Sequence, residues 1–292
     1  MIQVATHPTS FDKQSYAQRR SVASPASLPP VQLPRTLARP PFAEIARDAI
    51  AAVSPELVDI PAEYIRRSLR PKADNTRLRM LAGNSALAPS HMPSLMSRSR
   101  LPPSLSIPLR TTSVGQPSYP THVLAVTASK NPSEGAMLFP VHSIVLATHC
   151  AHLPPLSPSP PRPHSPSIQL PVLPLSMPSP PAFAILHSFM YHHRLDSVLK
   201  GLFPMPSGFL QSVSHDAVRG ALASGSTLHQ LSSYLAQSAS GNLTTLMTHV
   251  AHVKELWQNM VALGVHDPEL WDTLDLAWEV ILGALNLAAM GH

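Results

Sequence analysis

Between residues 119 and 147, the alternation of hydrophobic and polar positions predicts two strands and a helix. THVLAVTAS alternates between two faces, as a strand does, and AMLFPVH supplies a second strand beyond the turn-rich KNPSEG. The next stretch, SIVLATHCAHL, begins with Ser143 in the N-cap position and continues with apolar residues. A short buried helix is therefore predicted from Ser143.

Beyond this helix, the hydrophobic pattern predicts one more strand and a broken helix. IQLPVLPL is extended, and its prolines predict an edge strand or a short pairing. PPAFAILHSFMYHHRLDSVLKGLF has helical spacings and predicts a helix with a break near His192 and His193. Residues 119–202 are thus expected to form a small sheet with helices.

Residues 203–290 keep a helical period throughout, which predicts an all-α C-terminal region and an α+β fold for the chain. NLTTLMTHVAHVKELWQNMVAL carries a broad apolar stripe, and the stretch after Asp267 and Pro268 repeats it. Its tryptophans, Trp257, Trp271 and Trp278, are candidate anchors for a protein partner, because aromatic residues dominate interface energetics. The alternative is that at least two of the three pack in the core.

Segments rich in Pro, Ser and Arg surround these regions. Residues 1–41 lack periodicity and predict a disordered basic arm, and residues 83–118 predict a disordered linker. Residues 42–82 between them predict two short helices, the first from Phe42 to Val53. Residues 154–166 are dense enough in proline to predict a polyproline-like surface loop.

The positive charge is concentrated in the front of the chain. Residues 1–110 hold 15 Lys or Arg against 7 Asp or Glu, and residues 111–292 hold 6 against 9. Such an arm attracts nucleic acid, acidic proteins or anionic membranes without specificity. A basic patch for nucleic acid or nuclear import is also a candidate, although a solvated helix face explains it equally; it comprises Arg66, Arg67, Arg70 and Lys72.

Candidate chemistry concentrates at the predicted corner between strand and helix. His142, His149, Cys150 and His152 could supply four zinc ligands. On a helix from Ser143, His149 and His152 would share a face, whereas Cys150 would point about 100° away from His149 and His142 would precede the helix, so we expect a packed corner without a metal. The chain lacks the G-x-S-x-G, H-E-x-x-H, Walker and G-x-G-x-x-G motifs, so we expect neither an enzyme nor a cofactor.

Location and modification follow from three further features. Cys150 is the single cysteine, which excludes an internal disulfide and fits a reducing compartment. The start lacks a secretory h-region and the late apolar run VILGALNLAAM is short, so a nuclear or cytoplasmic protein without a membrane span is expected. Serines precede proline in the proline-rich loop and are candidates for phosphorylation, or parts of a plain spacer: Ser157, Ser159 and Ser165.

Two blocks of residues resemble a BTB/POZ domain. The first block comprises Phe139, Val141, His142, Val145, Leu146, Ala147 and Cys150. The second block comprises Leu170, Pro171, Ala182, Phe183, Leu186, Phe189, Tyr191, Leu195 and Asp196. The resemblance implies a BTB/POZ-like domain over residues 119–202. Thr121 and His122 replace its usual acidic opening, and the proline-rich loop replaces a helical segment, which weighs against BTB-style homodimerisation.

At finer grain, the basic Pro/Ser-rich front together with LFPVHSIVLATHCAHLP and LPVLPLSMPSPPAFAILHSFMYHHRLDSVL resembles the clampless-type developmental proteins of basidiomycete fungi. This resemblance implies a regulator of sexual development and clamp-cell formation that acts through protein partners, with homeodomain-type transcription factors as candidates. The alternative is a nucleic-acid-associated factor that binds through the basic arm.

Overall fold

The computed structural model describes residues 32–69, 76–88, 93–110, 117–131, 135–154, 156 and 166–290. The elements before the central sheet are α1 (Arg47–Val53), α2 (Ala62–Ser68), α3 (Thr76–Ala86), β1 (Leu95–Met96) and β2 (Ser104–Pro108). The central elements are β3 (His122–Ala128), β4 (Ala136–Val141), α4 (Ser143–His149), β5 (Ser167–Met177), α5 (Pro180–His192) and α6 (Leu195–Leu202). The C-terminal helices are α7 (Ser207–Gln211), α8 (His215–Ala223), α9 (Gly225–Ser238), α10 (Leu243–Leu263) and α11 (Pro268–Met290).

A five-stranded sheet in the order β1-β4-β3-β5-β2 forms the first half of the fold. β3 pairs antiparallel with β4 and parallel with β5. This confirms the two predicted strands, the helix that follows them and an α+β fold. The order hairpin, helix, strand and helix pair is the one that suggested a BTB/POZ domain, and that finer assignment stays a prediction.

The prolines of β5 are accommodated by staggered pairing. The first half of β5 pairs with β2, from Pro171 opposite Ser104, and the second half pairs with β3, from Val172 opposite Val123. Each half is therefore paired on one edge only, which leaves positions where a proline loses no ladder hydrogen bond. The predicted alternative of a short pairing is confirmed for each half, whereas β5 as a whole lies between two partners and is not an edge strand.

Two segments that were predicted to be disordered contribute to the fold. β1 and β2 belong to the predicted linker 83–118, and Ile107 of β2 is fully buried. In the predicted arm, Leu33 and Leu37 are buried in the main core. The prediction was thus wrong for these parts, because apolar side chains spaced between prolines find partners that only the tertiary structure supplies.

The helical predictions hold with shifts at the ends. α5 ends where His193 adopts a left-handed conformation with φ 47°, which confirms the predicted break. The first predicted helix begins at Arg47 and not at Phe42, because the amide of Ala43 donates to His266 Nε2 at 3.1 Å. α7 to α11 confirm an all-helical C-terminal region, which shares one core with α5 and α6.

By length and composition, α11 could cross a membrane: it has 23 residues and a window of mean hydropathy 1.4. The short run considered in the sequence is only the second half of this helix. A helix at the centre of a bundle meets the same criteria, and 61% of the window is buried. α11 contacts α6, α8, α9 and α10, so its apolar surface is explained by packing within the chain.

Candidate partner-binding site

The surface of α11 that faces the N-terminal arm combines tryptophans with carboxylates. Asp272, Asp275 and Glu279 are three and four residues apart, so they align along one side of the helix. Trp271 and Trp278 are sequence neighbours of Asp272 and Glu279 on α11, and Trp257 belongs to α10. All six side chains contact residues 34–39 of the arm, and we call the surface that they form the α11 groove.

Residues 32–41, which we call the strap, lie in this groove without helix or strand structure. The strap contains a four-residue repeat, LPRT followed by LARP. In both copies the leucine is buried, as Leu33 at 9% and Leu37 at 6% exposed. Arg35 pairs with Glu279, whereas Arg39 pairs with Asp272 and Asp275, so the strap runs antiparallel to α11.

The indole N–H groups bind the main chain of the strap. Nε1 of Trp278 donates to the carbonyl of Pro34 at 3.2 Å, and Nε1 of Trp257 donates to the carbonyl of Ala38 at 2.9 Å. The two carbonyls occupy the same position in the two repeats. Each repeat therefore supplies a buried leucine, a carbonyl bound by tryptophan and an arginine paired with carboxylate.

The tryptophans occupy three different environments. Trp271 and Trp278 are buried, and Nε1 of Trp271 donates to the carbonyl of Val265. Trp257 is half-buried beside the strap. Core packing of two of the three tryptophans, the alternative that the sequence left open, is confirmed, and their role as anchors for a protein partner stays a prediction. The indole N–H groups of Trp257 and Trp278 bind the strap, and the guanidinium of Arg39 lies over the ring of Trp271.

Arg39 is the most highly connected residue of the strap. Its Nη2 lies 2.8 Å from Asp272 and also contacts Asp275, and its guanidinium lies 5.8 Å from the ring centre of Trp271. Burial alone would raise the pKa of Asp272, but hydrogen bonds from Arg39 and His215 outweigh it and lower the pKa. For Asp275, burial is the stronger effect and raises the pKa.

The chain leaves the groove beside the turn between α10 and α11. There the ring of Phe42 packs at 5.3 Å from the ring of His266, next to the hydrogen bond from Ala43. A cavity of about 590 Å³ opens at this point, between the segment that carries α1 and α2 and the turn at His266 and Asp267. Its lining mixes both charges, including Arg66 and Glu269.

The basic patch is only partly within the described residues. Arg66 donates to the carbonyl of Thr148, and Arg67 pairs with Glu63 one turn earlier in α2. Both cations therefore serve contacts within the chain. Arg70 and Lys72 lie outside the described residues, and so do the candidate phosphorylation sites Ser157, Ser159 and Ser165.

The corner between β4 and α4 is a packed hydrogen-bonded junction. His142 Nε2 donates to the carbonyl of Ser118 at 2.9 Å, and its Nδ1 lies 3.0 Å from the hydroxyl of Tyr191. The same hydroxyl accepts from the His142 amide at 2.8 Å. Burial lowers the pKa of His142 to about 4, so the ring is neutral.

The other candidate ligands of this corner have separate partners. His149 Nδ1 lies 2.8 Å from the carbonyl of Val145, and His152 lies beside the carbonyl of Ala262. The thiol of Cys150 contacts Met190, and burial raises its pKa to about 12. In the described part of the chain, no group of three or more His, Cys, Asp or Glu could hold a metal ion.

Comparison with known families places both halves of the chain. Residues 40–178 match the clampless protein 1 N-terminal domain, and residues 196–292 match the clampless protein 1 C-terminal domain. The chain belongs to the clampless protein family. Neither a curated protein nor a solved structure matches it.

The family boundaries give the site a defined place. The α11 groove lies within the range that matches the clampless C-terminal domain. The repeat of the strap ends at residue 40, where the match to the N-terminal domain begins. The strap is therefore almost entirely outside both matched ranges, although its side chains are bound by the second. The core of this clampless protein extends from the strap to α11.

Sequence reasoning missed Arg35, Arg39 and the acidic row. Two signals were available: the LPRT–LARP repeat, and the carboxylates at three- and four-residue spacing on a tryptophan-bearing helix. Neither signal is informative alone, since Pro- and Arg-rich repeats are common in disordered segments. Their combination indicates a segment and its receptor.

Proposed function

We propose that this clampless protein regulates fungal sexual development, including clamp-cell formation, as a non-enzymatic protein-interaction protein of the nucleus or cytoplasm. Membership of the clampless family supports a fungal developmental role. The observation that carries the interaction role is the α11 groove, in which tryptophan N–H groups bind main-chain carbonyls of an extended segment. Hydrogen bonds to the main chain are a general means of holding a peptide.

The partners that we propose are other regulatory proteins, with homeodomain-type transcription factors as candidates. The BTB/POZ-like interpretation of residues 119–202 supports the same class of function, since such a domain acts through protein contacts. The order of β3, β4, α4, β5, α5 and α6 is consistent with it. Under this proposal, the fold presents binding surfaces and catalyses no reaction.

Nucleic-acid binding through the arm is the alternative. Four described cations of the arm and basic patch already contact groups of the chain itself: Arg35, Arg39, Arg66 and Arg67. Nucleic-acid binding would therefore depend on other cations of the arm, such as Lys13, Arg19 and Arg20. It should fall steeply with salt, because it releases counterions.

The test uses the full chain, because a shorter fragment without the N-terminal segments, for example one that begins at residue 115, would lack β1 and β2 of the sheet. The tagged protein is expressed in mating cells of the source fungus, in place of the native gene, and captured at low and at moderate salt. We expect defined proteins to be retained at both, and the K13A/R19A/R20A variant to retain them equally. Normal clamp cells in a strain that lacks the gene would contradict the developmental role. If the K13A/R19A/R20A variant captured none of the proteins, the nucleic-acid alternative would be favoured.

A further inference from the structure

We propose that the α11 groove is a receptor for an extended Leu-x-Arg-x-Leu-x-Arg segment of another protein, and that the strap is its occupant from the same chain. This inference rests on the proposed interaction function and names the chemistry of the partner. The segment is basic, apolar at every fourth position and extended by proline. The strap shows how such a segment is bound.

The first reason is that the groove repeats its contacts. Leu33 and Leu37 are buried, the carbonyls that follow them accept from Trp278 and Trp257, and the arginines two positions on reach the acidic row. A chance docking of a linker would not place the same three kinds of contact four residues apart. The groove therefore has two equivalent subsites, each specific for Leu-x-Arg and each able to bind the main chain.

The second reason is that the strap is separable from the fold. Within the described residues, residues 32–41 make no backbone hydrogen bond to another backbone group. Its ion pairs are solvent-accessible, with Arg35 59% and Arg39 43% exposed in their side chains. Each exposed ion pair contributes little to stability, because water and salt screen it. The strap can thus leave the groove while α10 and α11 keep their own hydrogen bonds.

The third reason is charge complementarity. Residues 196–292 hold 8 Asp or Glu against 3 Lys or Arg, so the receptor side is acidic. An acidic groove attracts basic segments and rejects acidic ones, and it raises the rate of encounter with a basic partner. An acidic partner or a nucleic acid would be repelled from this face.

Occupation by the strap lowers the affinity of the groove for a partner without abolishing binding. A tethered segment acts at an effective concentration on the order of millimolar, so a partner competes with it and binds more weakly than to an empty groove. A partner with the same pattern and additional contacts elsewhere would displace the strap. Loosening the strap should therefore strengthen binding in trans.

The test measures fluorescence polarisation of a labelled peptide, VQLPRTLARPP, with the full chain. The R35E/R39E variant has a strap that the acidic row repels, so we expect it to bind the peptide more than tenfold more tightly than the wild type. Adding D272R/D275R to that variant should weaken binding more than tenfold. A second peptide keeps only Leu33, Pro34, Arg35, Leu37 and Arg39 of the strap, and should bind within about threefold of the first.

A matched variant guards against misfolding. L33S/L37S loosens the strap through its leucines and keeps its charges, and near-ultraviolet circular dichroism identifies which variants remain folded. Tightening in a folded variant supports the proposal. If neither variant is folded, the peptide is titrated with the wild-type chain. Saturable binding supports the proposal if it is lost when both arginines of the peptide are replaced by glutamine. Absence of such binding overturns it.

Two other outcomes also overturn it. If the folded variants bind the peptide no more tightly than the wild type, the strap is a fixed part of the fold. If light scattering shows a wild-type dimer that R35E/R39E converts to a monomer, the occupant is the strap of a second copy. Failure of the peptide test with successful capture of proteins from cells would place the partner surface elsewhere and leave the proposed function intact.

Discussion

At the residue scale, two histidines packed against Tyr191 contribute to the pH response of the fold. His142 and His187 lie on either side of Tyr191, and His187 Nε2 lies 3.2 Å from the carbonyl of Pro140. Burial is the main cause that lowers the pKa of each ring from 6.5 to about 4. In the folded chain, each ring therefore accepts a second proton only near pH 4.

The free energy of unfolding should therefore fall as the pH is lowered from 6.5 towards 4. The unfolded chain binds protons at these histidines below pH 6.5 and the folded chain does not until about pH 4, so acid favours the unfolded state. We expect roughly 2 to 3 kcal/mol of this loss to disappear in His187→Leu. Urea unfolding at several pH values measures it, with exposed His229→Gln as the control. An unchanged pH slope in His187→Leu would contradict the assignment.

Both the backbone conformation at residue 264 and the limited space beside it require a glycine. It ends α10 in the left-handed region with φ +65°, and an added Cβ would lie 2.9 Å from the ring of His152. We expect Gly264→Ala to lower the free energy of unfolding by about 1 to 2 kcal/mol. Gly220 lies within α8, where an added Cβ meets nothing within 4 Å, so Gly220→Ala should raise stability by about 0.5 to 1 kcal/mol. Thermal unfolding of the two variants checks both signs.

At the scale of elements, one buried amide joins α10 to the start of α5. Asn259 Oδ1 accepts from the amide of Ser179 at 3.1 Å, and its Nδ2 donates to the carbonyl of the same residue at 2.6 Å. Ser179 is also the N-cap of α5, where its hydroxyl accepts from the amide of Ala182. This pair of hydrogen bonds links a helix of the clampless C-terminal domain to a helix that precedes its matched range.

Asn259→Leu should lower the free energy of unfolding by about 2 to 4 kcal/mol, because it leaves both main-chain groups of Ser179 buried without these partners. Asn286→Leu is the matched control, since Asn286 is exposed on α11 and its replacement should change stability by less than about 0.5 kcal/mol. Chemical denaturation measures both. Equal effects of the two substitutions would show that the link does not stabilise the fold.

Periodicity in the sequence predicts whether most elements are helices or strands, but it does not predict which strands pair. The apolar stripes of α10 and α11 and the alternation in β3 carry their own signals. β5 was predicted to be an edge strand or to make a short pairing, because Pro171 and Pro174 each lack an amide hydrogen. The stagger of β2 and β3 along β5, which makes those prolines acceptable, is a property of the assembled sheet.

At the scale of the molecule, the strap covers part of the C-terminal helices, although it lies almost entirely outside the two matched domains. It covers Trp257 and Trp278 and contributes two buried leucines to the main core. This segment was predicted to be disordered because its residues show neither a helical nor a strand period. Its order comes from the acidic row and the indole groups, more than 200 residues away in the sequence.

Removal of residues 1–41 should expose these tryptophans. We expect the emission maximum of tryptophan fluorescence to move to longer wavelength and the free energy of unfolding to fall by roughly 2 to 4 kcal/mol, because the core loses two buried leucines. Removal of residues 1–31 alone keeps the strap and should change neither quantity. The same red shift in both truncated chains would mean that the strap does not cover the groove.

The sequence by itself determined the α+β division, the broken α5–α6 helix, the helical C-terminal region and the resemblance to the clampless family, because these rest on local periods and local residue patterns. The tertiary structure decided the position of β5, the order of the strap and the neutral state of His142. Each of these depends on groups far apart in the chain, whose desolvation and pairing appear only when the whole chain is folded.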